Sequence, residues 1–320
     1  MTTSGNLKPD FSEYKQCRLC PRECGINRLA GQKGFCGETS DCSVAYCGSH
    51  FGEEPPISGK AGSGTVFFSG CSCGCFFCQN VQLSREHLGE ILNFSELAER
   101  VLTLARSKVH NLNFVTPEHW WPHIRELCRY LRAEAVETPF LWNSSGYCRS
   151  ELLEEQCQYI DIFLPDFKYA DASLAERCMG RRDYPELALS GLRVLVERKG
   201  FLRPFDCSGE ITASQGVMVR HLVLPGEVDN SLCVLKLLYA EFGDGLPLSL
   251  MRQFTPMPEC ERRQFLNRKV RDEEYQKVCK LAAELGFRRL FLQEEDDGSF
   301  LPDFRQRQQP SRLVAKANAP

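Results

Sequence analysis

The sequence predicts an α/β fold: a partial (β/α)6 TIM-type barrel preceded by an N-terminal, cysteine-rich metal-binding segment. Short apolar runs typical of buried parallel strands alternate with segments of helical periodicity, and the alternation repeats six times between residues 64 and 285. Polar residues follow the ends of successive strands, where barrels of this class place their chemistry. Ten of the eighteen cysteines fall between Cys17 and Cys78, so the first part of the chain is chemically distinct.

The composition limits the classes of protein to consider. Of 320 residues, 42% are hydrophobic and 25% are charged, as in a globular protein with a sizeable core; this length fits two domains or one barrel. A net charge of -3 gives no long-range attraction to nucleic acid or anionic membrane, and no apolar run is long enough to span a bilayer. The polar start lacks a secretory signal, so the cysteines favour metal or redox use over a disulfide framework. We expect a cytoplasmic protein without a nucleic-acid or membrane partner.

The N-terminal segment, residues 1–52, has the metal-binding spacing C-x2-C-x3-C-x11-C. Its four cysteines are Cys17, Cys20, Cys24 and Cys36. Four soft ligands close a coordination sphere, and glycines between the last two allow a tight fold around a metal. The spacing fits a structural zinc ion or an auxiliary [4Fe–4S] cluster, and it does not separate them. Cys42 or Cys47 could replace one ligand, and unligated thiols are the remaining alternative.

The barrel domain is predicted over residues 53–293, and a Gly- and Pro-rich linker at 48–62 leads into its first strand. Strands are predicted at 64–69, 111–115, 140–142, 160–164, 217–224 and 248–251, with an extra strand at 290–292. Helices are predicted from Asn93, whose capping-box partner is Glu96, to Ala105, and then at 118–132, 151–157, 185–197, 232–242 and 273–285. Residues 200–216 lack periodicity and are predicted to form a surface excursion. The polar tail 294–320 is predicted to be disordered.

The loop after the first strand carries Cys71, Cys75 and Cys78 at C-x3-C-x2-C spacing. Three such thiolates can hold three irons of a cubane cluster and leave the fourth without a protein ligand. Clusters that only carry electrons normally have four cysteines. An open iron is what a cluster needs in order to bind and cleave a substrate-like molecule. The alternative is a zinc knuckle with Cys73 as fourth ligand, which requires a strained loop.

Several longer stretches accompany this loop: CRLCPRECGINR, GSGTVFFSGC, WNSSGY, LPDFKY and RHLVLPG. With the three-cysteine loop, they resemble the radical-SAM superfamily, in particular its homologues of the pyruvate formate-lyase activating enzyme (PflX-type). The resemblance extends from about Cys17 to Leu292 and implies the radical-SAM core, a partial barrel. In that superfamily the open iron of a [4Fe–4S] cluster chelates S-adenosylmethionine (SAM), and one electron splits SAM to a 5′-deoxyadenosyl radical.

The resemblance also implies roles for individual residues. Cys71, Cys75 and Cys78 would bind the cluster, and Phe77 matches the aromatic position that leans on the adenine. The polar residues expected to bind SAM are Thr116, Glu118, Asn143, Ser144, Asp166, Lys168 and Arg220.

Their expected contacts differ. Thr116 and Glu118 stand where activating enzymes use a Gly-Gly-Glu motif to accept hydrogen bonds from the SAM amino group. Asn143 and Ser144 would meet the ribose or the carboxylate. Lys168, next to Asp166, and Arg220 would offer positive charge to the carboxylate. A structural ion pair at the barrel rim is the alternative for Lys168 and Asp166.

The expected function is therefore reductive cleavage of SAM for hydrogen abstraction, resembling the activating enzymes of glycyl-radical enzymes. The implied partners are a low-potential electron donor of the flavodoxin or ferredoxin type and a glycyl-radical enzyme or peptide substrate. A radical-SAM enzyme acting on another peptide or a small molecule is a second possibility. A non-enzymatic iron–sulfur or zinc interaction protein is a third, and the populated strand ends disfavour it.

Overall fold

The computed structural model describes residues 9–293 and 303–305. Its strands are β1 (Cys42–His50), β2 (Ser63–Phe68), β3 (Glu90–Leu92), β4 (Leu112–Val115), β5 (Phe140–Ser144), β6 (Ile162–Pro165), β7 (Gly216–Val217), β8 (Val219–Leu222), β9 (Leu248–Met251) and β10 (Leu290–Leu292). Its α-helices are α1 (Pro55–Ser58), α2 (Val81–Ser84), α3 (Phe94–Arg106), α4 (Trp121–Ala133), α5 (Ser150–Gln156), α6 (Ala172–Met179), α7 (Tyr184–Lys199), α8 (Val228–Phe242), α9 (Pro258–Arg263) and α10 (Asp272–Leu285). Short 3-10 turns lie at Ser12–Gln16, Arg28–Ala30 and Glu118–Trp120.

Parallel strands form the frame of the molecule. Strands β2, β4, β5, β6 and β7 pair in parallel in that order, and β8, β9 and β10 form a second parallel group. A parallel bridge between Asp166 and Arg220 joins the two groups. Helices connect most successive parallel strands, as the parallel geometry requires. The structure thus confirms the predicted α/β fold with an open, partial barrel.

Alternation along the strands separates the core from the barrel interior. In β4, Leu112 and Phe114 are fully buried in the main core, and Phe114 packs 6.3 Å from the ring of Phe140. The intervening Asn113 donates a hydrogen bond to Glu53, on the interior side, as the two-residue period of a strand dictates. Helix α3 begins as predicted, because the Asn93 side chain accepts from the Glu96 N–H at 3.0 Å and the Glu96 carboxylate accepts from Asn93 N–H at 2.9 Å.

A second, smaller core fills the interior near the amino ends of the strands, and we call it the barrel floor. It consists of Ile57, Leu141, Ile162, Leu164, Leu202, Ala213, Met218 and Phe291, all buried. Leu202 and Ala213 belong to the segment 200–216, so this segment contributes to the interior rather than forming only a surface excursion. Long-range packing, which periodicity does not register, explains the difference.

The predicted linker 48–62 contains the end of β1 and all of α1. β1 pairs antiparallel with β2 and β3 at the outer edge of the sheet, so residues 42–50 of the N-terminal segment join the barrel sheet. The division at residue 52 stays a prediction.

The tail prediction falls mostly outside the described residues. Residues 303–305 are described, and Phe304 packs against Phe67, with ring centroids 5.0 Å apart. Within 9–293 and 303–305, no helix combines the length and apolar character needed to cross a membrane.

Candidate iron–sulfur site and its cavity

The three-cysteine loop follows directly from the carboxyl end of β2. Gly70 and Gly74 adopt left-handed conformations with φ of 81° and 68°. A Cβ on Gly74 would lie 2.7 Å from the Phe35 ring, so a side chain would both strain and crowd this turn. The Cys73 N–H donates to Cys71 Sγ at 3.3 Å, the kind of hydrogen bond that supports a ligating thiolate.

The thiols of this loop differ in acidity. A hydrogen bond from Cys73, assisted by the Lys168 charge, lowers the pKa of Cys75 to about 6 despite burial. A hydrogen bond from Cys73 also lowers the pKa of Cys71. These contacts raise the pKa of Cys73 itself well above its usual value. Burial raises the pKa of Cys78 to about 11, so a metal would have to displace its proton.

This donor set and its glycine-rich turn fit a cluster held by Cys71, Cys75 and Cys78. Among residues 9–293 and 303–305, no three His, Cys, Asp or Glu side chains form a ready-made metal site, so the choice between this cluster and a zinc knuckle through Cys73 stays a prediction.

A cavity of about 2180 Å³ opens beside the loop. It brings the three cysteines together with most of the polar residues that the sequence singled out. The predicted residues that line it are Cys71, Cys75, Cys78, Phe77, Thr116, Asn143, Ser144, Asp166, Lys168 and Arg220. Phe77 packs edge-on against Phe254, with ring centroids 5.6 Å apart. The carboxyl ends of several parallel strands therefore meet at one site, as the barrel topology predicts.

Thr116 and Glu118 differ in their access to this cavity. Thr116 lines it with a φ of 53°, a conformation that is strained for a β-branched residue, at the position where the expected motif has glycine. Glu118 is buried and does not line the cavity. Its Oε1 accepts hydrogen bonds from the Ser145 N–H at 2.8 Å and from the Ser145 hydroxyl, whereas Oε2 has no protein partner. Burial raises the pKa of Glu118.

Lys168 and Asp166 form a direct ion pair at the cavity wall. Burial lowers the pKa of Lys168, but the Asp166 carboxylate outweighs it, and the net pKa lies well above the usual value. Lys168 therefore presents a permanent positive charge near Cys75.

Arg220 also lines the cavity, and its guanidinium is already bound to two acids. Its Nε donates to Glu54 Oε1 at 2.9 Å, and its Nη2 contacts Glu53 and Glu54. A SAM carboxylate would compete with these two carboxylates, so the SAM role of Arg220 stays a prediction. Sequence reasoning missed both acids, since nothing in the predicted linker points to a partner 166 residues away.

The four N-terminal cysteines share one neighbourhood. Cys17, Cys20 and Cys36 are buried and Cys24 is exposed. Burial, and then the nearby thiols of Cys36, Cys17 and Cys24, raise the pKa of Cys20 to about 12, and a backbone hydrogen bond only partly offsets this. Arg22, between two of these cysteines, was not predicted to take part. It donates to the carbonyls of Ser72 at 2.9 Å and Cys73 at 2.8 Å, and thus ties this segment to the three-cysteine loop.

Comparison with known protein families points to the class of iron–sulfur proteins. Residues 57–180 match a family model described as a 4Fe-4S single cluster domain, a span that includes the three-cysteine loop and the strand ends through β6. This match supports an iron–sulfur centre.

Individual relatives are more distant. A protein from Methanocaldococcus jannaschii, named "Uncharacterized protein MJ0674", is 26% identical over 289 residues, which cover 87% of this chain and 78% of that protein. The crystal structure of methylornithine synthase (PylB) aligns with a TM-score of 0.47 and 14% identity over 75% of this chain and 72% of that one. The crystal structure of HydG, a maturase of the [FeFe]-hydrogenase, aligns with a TM-score of 0.49 and 16% identity over 77% of this chain and 54% of that one. Both TM-scores are too low to support an argument about activity.

Proposed function

We propose that this chain is a radical-SAM enzyme with a [4Fe–4S] cluster on Cys71, Cys75 and Cys78 and a SAM site beside it. The observation behind the proposal is that these three thiols line the same cavity as the polar ends of several parallel strands. The 4Fe-4S single cluster domain match supports the cluster.

Cys71, Cys75 and Cys78 would hold the cluster, which would supply the electron for reductive cleavage of SAM and so the means of hydrogen abstraction from a substrate. The residues of the chain orient the reactants. Lys168 offers its charge to the SAM carboxylate while Asp166 fixes its position, and Phe77 offers an aromatic face to the adenine. Glu118 acts through Ser145, because its carboxylate holds the turn after β5. The apolar barrel floor excludes water from below.

The size of the cavity supports a macromolecular hydrogen donor. Pockets for small ligands usually enclose roughly 300–1,000 Å³, whereas this open cavity measures about 2180 Å³. SAM would occupy only part of it, and the remainder suits an extended peptide segment. We therefore propose a glycyl-radical enzyme or another peptide as substrate and a flavodoxin- or ferredoxin-type protein as electron donor. A small-molecule substrate is the second candidate.

The test is 5′-deoxyadenosine formation after anaerobic reconstitution with iron and sulfide, with dithionite and SAM supplied. The wild type should form it, and Cys75→Ala should not. Cys128→Ala is the matched control, because Cys128 is a buried cysteine on α4 that does not line the cavity, and it should keep the SAM-responsive cluster. Wild-type product no higher than in Cys75→Ala would overturn the proposal and favour a binding protein. Transfer of deuterium from a labelled peptide into 5′-deoxyadenosine would separate the substrate classes.

A further inference from the structure

Arg28, in the N-terminal segment, is a buried cation that forms no ion pair with a carboxylate. Its side chain is 0% exposed, and its hydrogen bonds go to the carbonyls of Thr39 and His119. It lies over the rings of Tyr14 and Trp120, 4.3 and 4.7 Å from their centroids. No carboxylate among residues 9–293 and 303–305 comes within ion-pair distance of it. Since buried charges normally have a partner of opposite sign, an anionic group is expected nearby.

The buried Glu38 carboxylate is bound to His87, and the candidate that contacts Arg28 directly is a thiolate. Arg28 Nη1 lies 4.0 Å from Cys17 Sγ. A metal centre bound by four thiolates has a net negative charge and would supply the missing counter-charge. The position of Arg28 thus indicates an anionic metal site in this segment, independently of the cysteine spacing.

Backbone hydrogen bonds close the chain around the cysteines into a loop. Cys17 N–H donates to the Ile26 carbonyl and Gly25 N–H donates to the Cys17 carbonyl, each at 2.9 Å, which closes a loop that contains Cys20 and Cys24. The Phe35 N–H donates to Cys24 Sγ at 3.3 Å and so connects this loop to the chain just before Cys36. Residues 17–41 contain no strand and, as helix, only the short 3-10 turn at Arg28–Ala30. A small irregular segment of this kind has little core of its own, and a bound metal is one device that stabilises such structures.

The place of the site in the molecule favours a cluster over a zinc ion. The four thiols share one neighbourhood, and Arg22, which lies between two of them, contacts the three-cysteine loop. Zinc has no redox chemistry, whereas a cluster bound by four cysteines leaves none of its irons open to a substrate and is suited to carrying electrons.

The segment is also in contact with the three-cysteine loop. Arg22 bonds to carbonyls on that loop, and a Cβ on Gly70 would lie 2.8 Å from the Cys36 carbonyl. An electron leaving this site would therefore have a short path of bonds and hydrogen bonds to the first cluster. The exposed Cys24 marks the edge at which a protein donor can approach.

We propose that Cys17, Cys20, Cys24 and Cys36 hold a second, fully cysteine-coordinated [4Fe–4S] cluster that relays electrons. A reduced flavodoxin- or ferredoxin-type donor gives up one electron to the second cluster, which passes it to the cluster on the three-cysteine loop. The donor is oxidised and the first cluster is reduced by that electron. This relay rests on the proposed function, whereas the presence of the second cluster does not.

The first experiment removes the first cluster from the full-length chain with Cys71→Ala, Cys75→Ala and Cys78→Ala together. After anaerobic reconstitution, this variant should retain about four iron atoms and four sulfides per chain. Its electron paramagnetic resonance signal after dithionite should not change when SAM is added. About one zinc with no iron, or no bound metal in a protein with the wild-type circular dichroism, would overturn the second cluster. SAM cleavage plays no part in this result, so failure of the proposed function would remain distinguishable.

A second variant keeps the first cluster in place. Cys20→Ala should lower the iron content from about eight to about four atoms per chain. Cys42→Ala is the matched control, a buried cysteine close to Arg28 but outside the set, and should keep both clusters. Equal iron in Cys20→Ala and wild type would contradict the assignment.

The relay has its own readout. In Cys20→Ala, the ratio of flavodoxin-driven to dithionite-driven reduction of the first cluster, followed by freeze-quench spectroscopy, should fall at least tenfold. An unchanged ratio would overturn the relay.

Discussion

Replacing Arg220 with Met would remove the guanidinium that links the two groups of parallel strands to the start of α1. Arg220 lies on β8, and its side chain binds Glu53 and Glu54, which precede α1. All three side chains are less than a tenth exposed. Removing one partner of a buried pair typically costs 3–5 kcal/mol, roughly the amount expected here, because two carboxylates are left without a cation.

The charge count gives a matched control. One guanidinium faces two carboxylates, so the trio is short of one positive charge. Glu54→Gln leaves Arg220 paired with Glu53 and keeps an oxygen that can accept from Arg220 Nε. Its amide NH2 would replace the oxygen that accepts from Arg220 Nη2, so we expect Glu54→Gln to lower the free energy of unfolding by about 1–3 kcal/mol, less than Arg220→Met.

The pH dependence of the free energy of unfolding provides a second, independent test of the trio. In the wild type, burial raises the pKa of Glu53, but Arg220 outweighs burial and the net pKa lies below 4.5. Its contribution to stability is therefore present at neutral pH and is lost as the pH falls through that lowered value. In Arg220→Met, burial is unopposed and raises the pKa of Glu53. The variant should gain stability as the pH falls through this raised value, because the buried carboxyl takes up a proton.

Urea denaturation of the metal-free, reduced proteins between pH 5 and 8, followed by circular dichroism, measures both effects. The gap between wild type and Arg220→Met should be largest near pH 8 and should narrow toward pH 5. A gap of less than about 1 kcal/mol at pH 7, or one that does not depend on pH, would refute the assigned role of the trio.

Three further substitutions test the cavity. Thr116→Gly should raise the free energy of unfolding by about 1 kcal/mol, since relief of left-handed strain (roughly 1–3 kcal/mol) exceeds the added chain entropy (roughly 0.5–1 kcal/mol); a loss of stability in urea would contradict strain at this residue. Gly74→Ala should lower the iron bound after reconstitution, because its Cβ would collide with Phe35. The control is Gly31→Ala, also at positive φ but with open space around it, which should keep the iron and the SAM-responsive signal. An equal loss of iron in both variants would point to backbone strain alone. Phe77→Leu should weaken SAM binding about 2- to 13-fold, the equivalent of a lost aromatic contact of roughly 0.5–1.5 kcal/mol; an unchanged affinity in a spectroscopic titration would place the adenine elsewhere.

Local sequence signals predicted much of the frame. The apolar runs at 64–69 and 111–115 became β2 and β4, and the Asn93–Glu96 capping box was found as expected. These features depend on residues close together in sequence, where periodicity and capping are readable.

Elements that depend on distant partners were not predicted. Strand β1 has small and polar residues without clear alternation, and it is held by pairing with β2 and β3. At the site, the strand ends indicated Arg220, but not Glu53 and Glu54 as its partners. The burial of Glu118 behind Ser145 could not be predicted from the sequence either, because it depends on how the turn after β5 closes.

The barrel floor has a kinetic consequence. Because Ile57, Leu202 and their neighbours close the interior at the amino ends of the strands, the cavity opens toward the carboxyl ends, next to the three-cysteine loop. SAM and a second reactant would then enter through the same opening of the cavity. The reactant that binds deeper would have to bind first and dissociate last. Steady-state measurements should accordingly follow a compulsory-order pattern, with the later-binding reactant trapping the earlier one in place.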